Sequence, residues 1–376
     1  MDQDTFIPQA NPLAQYCAHR DEINEAVLRV LNSGRYILGP ETNAFESEFA
    51  AFIGVDHAIG VSSGTAAIVL ALQACGIGPR DEVITTPHTA VATVAAIEIA
   101  GATPVLADTE PDTFLLDPAR VLEKVTAKTK AIIPVHLFGM PASLDQFKNI
   151  CSDHKLFLIE DCAQAHGAAF TGKQVGSWGH IGCFSFYPTK NLGAIGDGGC
   201  VVTNDQHLAA RLRELREYGW RSRFVSEAPG RNSRLDEMQA AILRVKLRYL
   251  PLDNKRRQHI AAVYDEQLTG QIRKPHNRPD RSNVFHQFVV RVRDREHIQR
   301  LLHQRGIGTA IHYPVPIHLQ PAYYGRLGNV GSHPCAEGAA SEILSLPIYP
   351  ELPTAQIERI VSMVNSSCIT SSAAFA

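Results

Sequence analysis

The chain has 376 residues, 45% hydrophobic and 20% charged, with a formal net charge of −2 at pH 7. That balance suits a globular protein with a large domain and a smaller one, and it excludes disordered and fibrous classes. Near-neutral charge leaves no electrostatic footprint for nucleic acid or an anionic membrane, so an anionic ligand must be held by a local site.

The start, Met1-Asp2-Gln3-Asp4, is acidic and reads as neither a signal peptide nor a transit peptide. No apolar run reaches the roughly 18–20 residues that cross a bilayer. Through about residue 250, strands are predicted at 57–61, 82–85, 104–107, 131–135, 156–160, 182–186 and 199–203. Helices are predicted between the early ones at 65–74, 89–100, 118–125 and 143–154, the last with Ser143 or a near neighbour as N-cap. Nearly continuous apolar strands alternating with helices predict a mostly parallel α/β sheet covered on both faces. From Asn204 the pattern gives a helix at 207–217, an irregular stretch from Gly219 to Asn232 and a long helix from about Arg234 to beyond Arg257. A strand at 286–292, a helix at 295–305 and a loop rich in His, Tyr and Pro complete a smaller α+β part, so the expected division is 1–250 and 251–376. The tail from Ser366 is expected to fray. Eight cysteines are scattered without a C-x-x-C pair. They read as reduced, packed thiols of a cytoplasmic protein, and no metal site is expected.

Four segments carry chemistry. In Val61-Ser62-Ser63-Gly64-Thr65-Ala66-Ala67 a small turn opens a helix and offers free N–H groups to a phosphate, although an ordinary Ser/Thr N-cap reads the same way. In Glu160-Asp161-Cys162-Ala163-Gln164-Ala165-His166-Gly167 two carboxylates end a buried strand at the sheet edge where ligands bind. One could pair with a protonated pyridine nitrogen, with Gln164 on a ring hydroxyl; a metal-ligand pair or an N-cap by Asp161 stay open. In Phe184-Ser185-Phe186-Tyr187-Pro188-Thr189-Lys190 a lysine follows an aromatic strand, where desolvation favours the neutral, nucleophilic amine; a plain surface lysine at a strand end reads the same way. Ser185 and Tyr187 fall on one side of an extended strand. Gly193-Ala194-Ile195-Gly196-Asp197-Gly198-Gly199 permits positive φ and close backbone approach to a ligand, or is a plain turn.

These motifs, with Ser33-Gly34-Arg35-Tyr36-Ile37-Leu38-Gly39-Pro40 and Asn232-Ser233-Arg234-Leu235-Asp236-Glu237, resemble the nucleotide-sugar aminotransferases of the DegT/DnrJ/StrS type. The resemblance runs from about Leu13 to Val364. It implies the aspartate-aminotransferase fold, with a seven-stranded sheet between helices, and pyridoxal 5'-phosphate (PLP) as cofactor. It implies Lys190 as Schiff-base lysine and proton shuttle, Asp161 at the pyridine nitrogen and Gln164 at the ring oxygen. Gly64, Thr65 and Ser185 become the phosphate cup, and His88 takes the position of an aromatic ring stacked on the cofactor. Asn232 would reach the neighbouring subunit's cofactor, making a homodimer with shared sites. Dehydratase members carry histidine at the lysine position, so Lys190 favours transamination. The implied donor is L-glutamate.

Pro87-His88-Thr89, Gly196-Asp197-Gly198-Gly199 and the stretch from Gly306 to Pro316 resemble members acting on dTDP-linked 3-keto-6-deoxyhexoses. Tyr187 is the candidate diphosphate contact; Arg221, His312 and Tyr313 are further substrate candidates that read equally as ordinary loop or interface residues. Ser63, Ala66, Ala90 and Trp178 depart from the usual pattern of those enzymes. Alternative readings are a 4-keto-sugar or amino-cyclitol ketone aminotransferase and a PLP-binding regulator without turnover. A dinucleotide-dependent oxidoreductase is disfavoured because no G-x-G-x-x-G opens the first helix.

Overall fold

Seven apolar runs pair into one sheet in the order His57–Val61, Gly199–Thr203, Ile181–Ser185, Phe157–Asp161, Thr129–Ile132, Glu82–Thr85, Thr103–Leu106. Gly199–Thr203 runs antiparallel to both neighbours, and the other four pairings are parallel. The computed structural model describes residues 6–269, 272–276 and 278–373, with side chains through Ser367. The acidic start at residues 1–4 and the Cys368 side chain lie outside the described residues. The strands Ile181–Ser185 and Gly199–Thr203 are buried at every position, as runs covered on both faces must be. Phe49 stacks edge-on against Phe184 at 5.0 Å and Phe186 at 5.5 Å, anchoring the helix Pro40–Ile53 on one face. On the other face Gly64–Ala74 buries Ala67 through Leu72.

Register places the functional turns together. Val61 and Ser185 both pair with Gly199, and Asp161 pairs with Cys183. The turn 62–64, Ser185 and Asp161 therefore share one edge of the sheet.

Boundaries differ from expectation by one to three residues at most strand and helix ends. The helix expected at 89–100 is Ala92–Ile99, because Thr86 Oγ1 accepts the His88 N–H at 3.2 Å and Pro87 O accepts the Ile317 N–H at 2.9 Å. Those bonds hold 86–91 out of the helix. Ser143 occupies the N-cap position of Leu144–His154 without capping it, since its hydroxyl accepts from Arg281 at 2.8 Å. The helix Thr354–Ala373 continues through the stretch expected to fray, with Ser366 and Ser367 hydroxyls donating to Ser362 and Met363 carbonyls. Helices Pro12–Ala18, Arg20–Ser33 and Pro40–Ile53 were not anticipated.

The helix Glu237–Gln267 runs unbroken through residue 250. Its C-terminal half joins Ile260 and Tyr264 to a second core with Phe288, Val290, Leu344 and Leu346 of the antiparallel strands Phe288–Arg291 and Ile343–Leu346. Ile7 belongs to this core too: its N–H donates to Gly306 O and its carbonyl accepts from Gly308, both at 2.8 Å. Among the described residues, no helix is long and apolar enough to cross a membrane.

Candidate active site

Adjacent in sequence, Glu160 and Asp161 must point to opposite sides of their strand. The structure gives them separate tasks. Glu160 is fully buried and spends its oxygens on the chain itself: Oε2 accepts from Gly176 N at 2.7 Å and His136 Nε2 at 3.1 Å, and Oε1 from Trp178 N and Gly179 N, each at 2.8 Å. Because His136 Nδ1 accepts the Ala142 N–H, Nε2 carries the ring proton. His136, Glu160 and Cys162 lie close enough to suggest a metal site, but the lone pairs of Glu160 are already directed at four donors. Glu160 is a scaffold for the loop 176–179.

Asp161 faces the other way. Its Oδ2 accepts the Thr93 hydroxyl at 2.8 Å and its Oδ1 the Ala163 N–H at 3.1 Å. No helix begins here, so the N-cap reading of Asp161 falls away. Burial raises its pKa, opposed by the two hydrogen bonds and by Lys190 and His136. Lys190 lies close enough to feel that carboxylate. Some of the residue meets solvent, yet burial around its amine lowers the pKa to about 8 against the pull of Asp161. A lysine in that state offers far more neutral amine near neutrality than an ordinary lysine does.

Three imidazoles lie near enough to feel the charge of Lys190. His166 packs at 5.4 Å on Phe184 and is pushed down to about 3; His312 is pushed to about 4, and His286 falls well below the usual range. In each, burial is the larger cause and the charge of Lys190 the second. All three are therefore neutral at pH 7. His312 Nδ1 lies 2.8 Å from Ser345 Oγ, and His286 Nδ1 lies 3.3 Å from Asn191 Oδ1, tying the site to the C-terminal strand and to the residue after the lysine.

Gln164 bridges two elements. Its Oε1 accepts the Phe138 N–H at 2.6 Å and its Nε2 donates to Tyr313 Oη at 3.1 Å, which leaves one amide proton for a ligand. Burial raises Tyr313 to about 12. His88 is fully buried beside Phe114, Phe138 and Tyr313, with ring centroids 6.1–6.5 Å away. Both its ring nitrogens lack a hydrogen-bond partner, and burial lowers its pKa to about 4. Orphaned buried nitrogens are costly unless something else meets them.

At the sheet edge Ser63 caps Gly64–Ala74 by accepting the Ala66 N–H at 3.1 Å, so the capping and cradle readings of this turn coexist. Gly64 is there for space: a Cβ would lie 2.6 Å from Ser185 Cβ. Gly199 is needed against the chain itself, since its Cβ would sit 2.4 Å from the Ser63 carbonyl. The strand ends at Ser185, and Tyr187 lies beyond it, 53% exposed. Asn232 is exposed, while the next residue, Ser233, meets Ser62 Oγ at 2.9 Å. Arg221 sits on an exposed hairpin, ion-paired to Glu214 at 3.1 Å and Glu227 at 2.8 Å.

Sequence reasoning missed Thr93, His166 and His286 as parts of the site. Thr93 left a faint signal, as a lone hydroxyl in Ala92-Thr93-Val94-Ala95-Ala96-Ile97.

The chain is 48% identical over 360 residues to a dTDP-3-amino-3,4,6-trideoxy-alpha-D-glucose transaminase of Streptomyces venezuelae, covering 95% of each chain. It is 47% identical over 348 residues to a dTDP-3-amino-3,6-dideoxy-alpha-D-galactopyranose transaminase of Aneurinibacillus thermoaerophilus, covering 92% of this chain and 95% of that one. The crystal structure of S. venezuelae DesV in complex with a ketimine intermediate superposes with a TM-score of 0.95 at 47% identity, covering 96% and 98% of the two chains. Residues 18–365 match the model of one family, and with the lysine–aspartate pair on the sheet edge this chain belongs to the DegT/DnrJ/EryC1/StrS aminotransferase family.

Proposed function

We propose that this protein is a PLP-dependent transaminase that moves an amino group from L-glutamate to a dTDP-linked 3-keto-6-deoxyhexose. The product would be the dTDP-3-amino sugar. The observation that carries the reading is the placement of a reactive lysine, Lys190, beside a buried carboxylate, Asp161, with Gln164 and His88 in the same enclosure. Relatives named for dTDP-3-amino sugars support the 3-keto position.

The residues fit the cofactor. The turn at the start of the helix, where Gly64 lets Ser185 pack close, suits a phosphate, with Thr65 adding a hydroxyl. The orphaned ring of His88 covers a planar group, and Gln164 keeps one donor for a ring oxygen. When bound, PLP supplies an aldehyde and an electron-withdrawing ring. Asp161 would place negative charge at the ring nitrogen. Lys190, with its amine proton loosened by burial, would hold the aldehyde and would carry a proton to and from the substrate carbon. Neutral His166, His286 and His312 add no positive charge beside the amine. Tyr187, Arg221, His312 and Tyr313 are assigned to the nucleotide-sugar, and Asn232 to the cofactor of a second subunit in a cytoplasmic homodimer. In this reading residues 1–250 form the large cofactor-binding domain and 251–376 the small C-terminal one.

The test is mass spectrometry of products from candidate dTDP-keto-sugars with enzyme and glutamate. Lys190→Ala should abolish turnover and Schiff-base absorbance while keeping the wild-type circular dichroism. Undiminished turnover in that variant sinks the proposal.

A further inference from the structure

We propose that Thr93 is the positioning residue that keeps Asp161 ionised and aimed at the ring nitrogen, an inference that rests on the PLP reading above. Backbone pairing already locks the main chain of Asp161: its N–H donates to Pro134 O and its carbonyl accepts from His136 N, both at 3.0 Å. What remains free is rotation of the carboxylate, and two donors fix it. The Ala163 N–H takes Oδ1 and the Thr93 hydroxyl takes Oδ2. Thr93 is 1% exposed, so no water competes for that proton.

An ionised carboxylate only accepts, so two donors on two different oxygens select that form. Burial works against it, and the Thr93 hydroxyl is the largest opposing influence. The titratable groups facing Asp161 are Lys190, His136, Cys162, Cys183 and Tyr313. Burial keeps both thiols and the phenol protonated, so they add no charge near neutrality. Among the described residues, Thr93 is the side chain that donates directly to the carboxylate. Five residues before it on the same segment stands His88, so one stretch of chain both covers the ring and orients the carboxylate beneath it.

Thr93→Val keeps shape and removes the donor; Thr93→Ser keeps the donor and removes the methyl. Both are compared with wild type as holoenzymes, reading cofactor retention on dialysis, the pH midpoint of Schiff-base absorbance, and kcat against KM. In T93V the cofactor should bind about 10- to 100-fold more weakly, the range for losing a hydrogen bond to a buried charge. The midpoint should move upward, because a ring nitrogen that loses its proton no longer disfavours a protonated Schiff base. kcat should fall with little change in the KM for glutamate. T93S should stay near wild type in all three. If T93V does not fold, Thr93→Ala set against T93S reads the same difference. A T93V or T93A enzyme with the wild-type midpoint and retention overturns the inference, as does a T93S enzyme equally impaired. A wild-type protein without Schiff-base absorbance, or without a borohydride-trapped adduct on Lys190, would instead remove the PLP reading.

Discussion

Glu160→Gln is isosteric, removes no buried volume and touches no group assigned to cofactor or substrate, yet it should be one of the more damaging single changes in the sheet. Four donors converge on the Glu160 carboxylate, two per oxygen. A glutamine must turn one of those oxygens into an NH₂ group. Whichever end it chooses, two N–H···O bonds become N–H facing N–H in a site closed to water. A hydrogen bond to a charged group contributes about 1.5–3 kcal/mol, so losing two costs about 3–6 kcal/mol, a large share of a typical 5–15 kcal/mol stability. Part of that cost can be relieved by opening the loop 176–179 locally. Two assays separate the routes: the thermal midpoint by circular dichroism, and deuterium uptake at Gly176, Trp178 and Gly179. The midpoint should fall by on the order of 10 °C, or the three amides should lose protection, or both. Asp161→Asn should leave both readouts close to wild type while removing turnover. An E160Q protein that melts and exchanges like wild type would refute the division of labour between the two carboxylates.

Lys190 should set the pH dependence of cofactor capture. Its folded pKa of about 8 lies below the ordinary lysine value of 10.5, so the rate at which apoprotein forms the Schiff base should rise through a midpoint near 8, and one near 10 would contradict the burial argument. For stability, the unfolded chain binds the extra proton between about 8 and 10.5, so the cost of burying Lys190 is full below 8 and fades as pH rises across that window. Gly64→Ala would force a Cβ to 2.6 Å from Ser185 Cβ on a buried strand, at a cost of about 1–3 kcal/mol, and equilibrium dialysis should show cofactor binding at least about tenfold weaker. His88→Phe removes two buried nitrogens that lack partners, so it should raise the melting temperature of cofactor-free protein while lowering turnover. A less stable H88F would mean those nitrogens are satisfied.

Much of the sheet is legible in the sequence because burial on both faces leaves little freedom in composition. His57–Val61, Glu82–Thr85 and Gly199–Thr203 fall where the apolar runs end. The N-terminal helices are less visible because each buries a narrow stripe. Arg20–Ser33 buries Ile23, Ala26 and Val30 against Glu237–Gln267 while Leu28 and Leu31 stay exposed, which blurs the stripe, although Gly34 in the left-handed region marks its end. The start of Ala92–Ile99 could not be read locally, since the bond that unwinds the preceding turn comes from Ile317, more than two hundred residues away.

The same reasoning explains which parts of the site sequence could find. A lysine after an aromatic strand, a glycine before a helix and a carboxylate at a strand end are each conspicuous against apolar surroundings. Which of two adjacent carboxylates does chemistry is decided by what approaches each face. Glu160 meets backbone N–H groups from 176–179, a loop that no motif marks, and Asp161 meets a hydroxyl from a helix 68 residues earlier. Saturation with main-chain donors makes a carboxylate structural; leaving it one further direction, toward a lysine, makes it reactive. The arrangement also accounts for the neutral imidazoles. Cations packed beside Lys190 would lower its pKa further but, in the proposed reading, would weaken the hold of Asp161 on positive charge at the ring nitrogen. Burial alone lowers the lysine without that cost, and the enclosure uses burial.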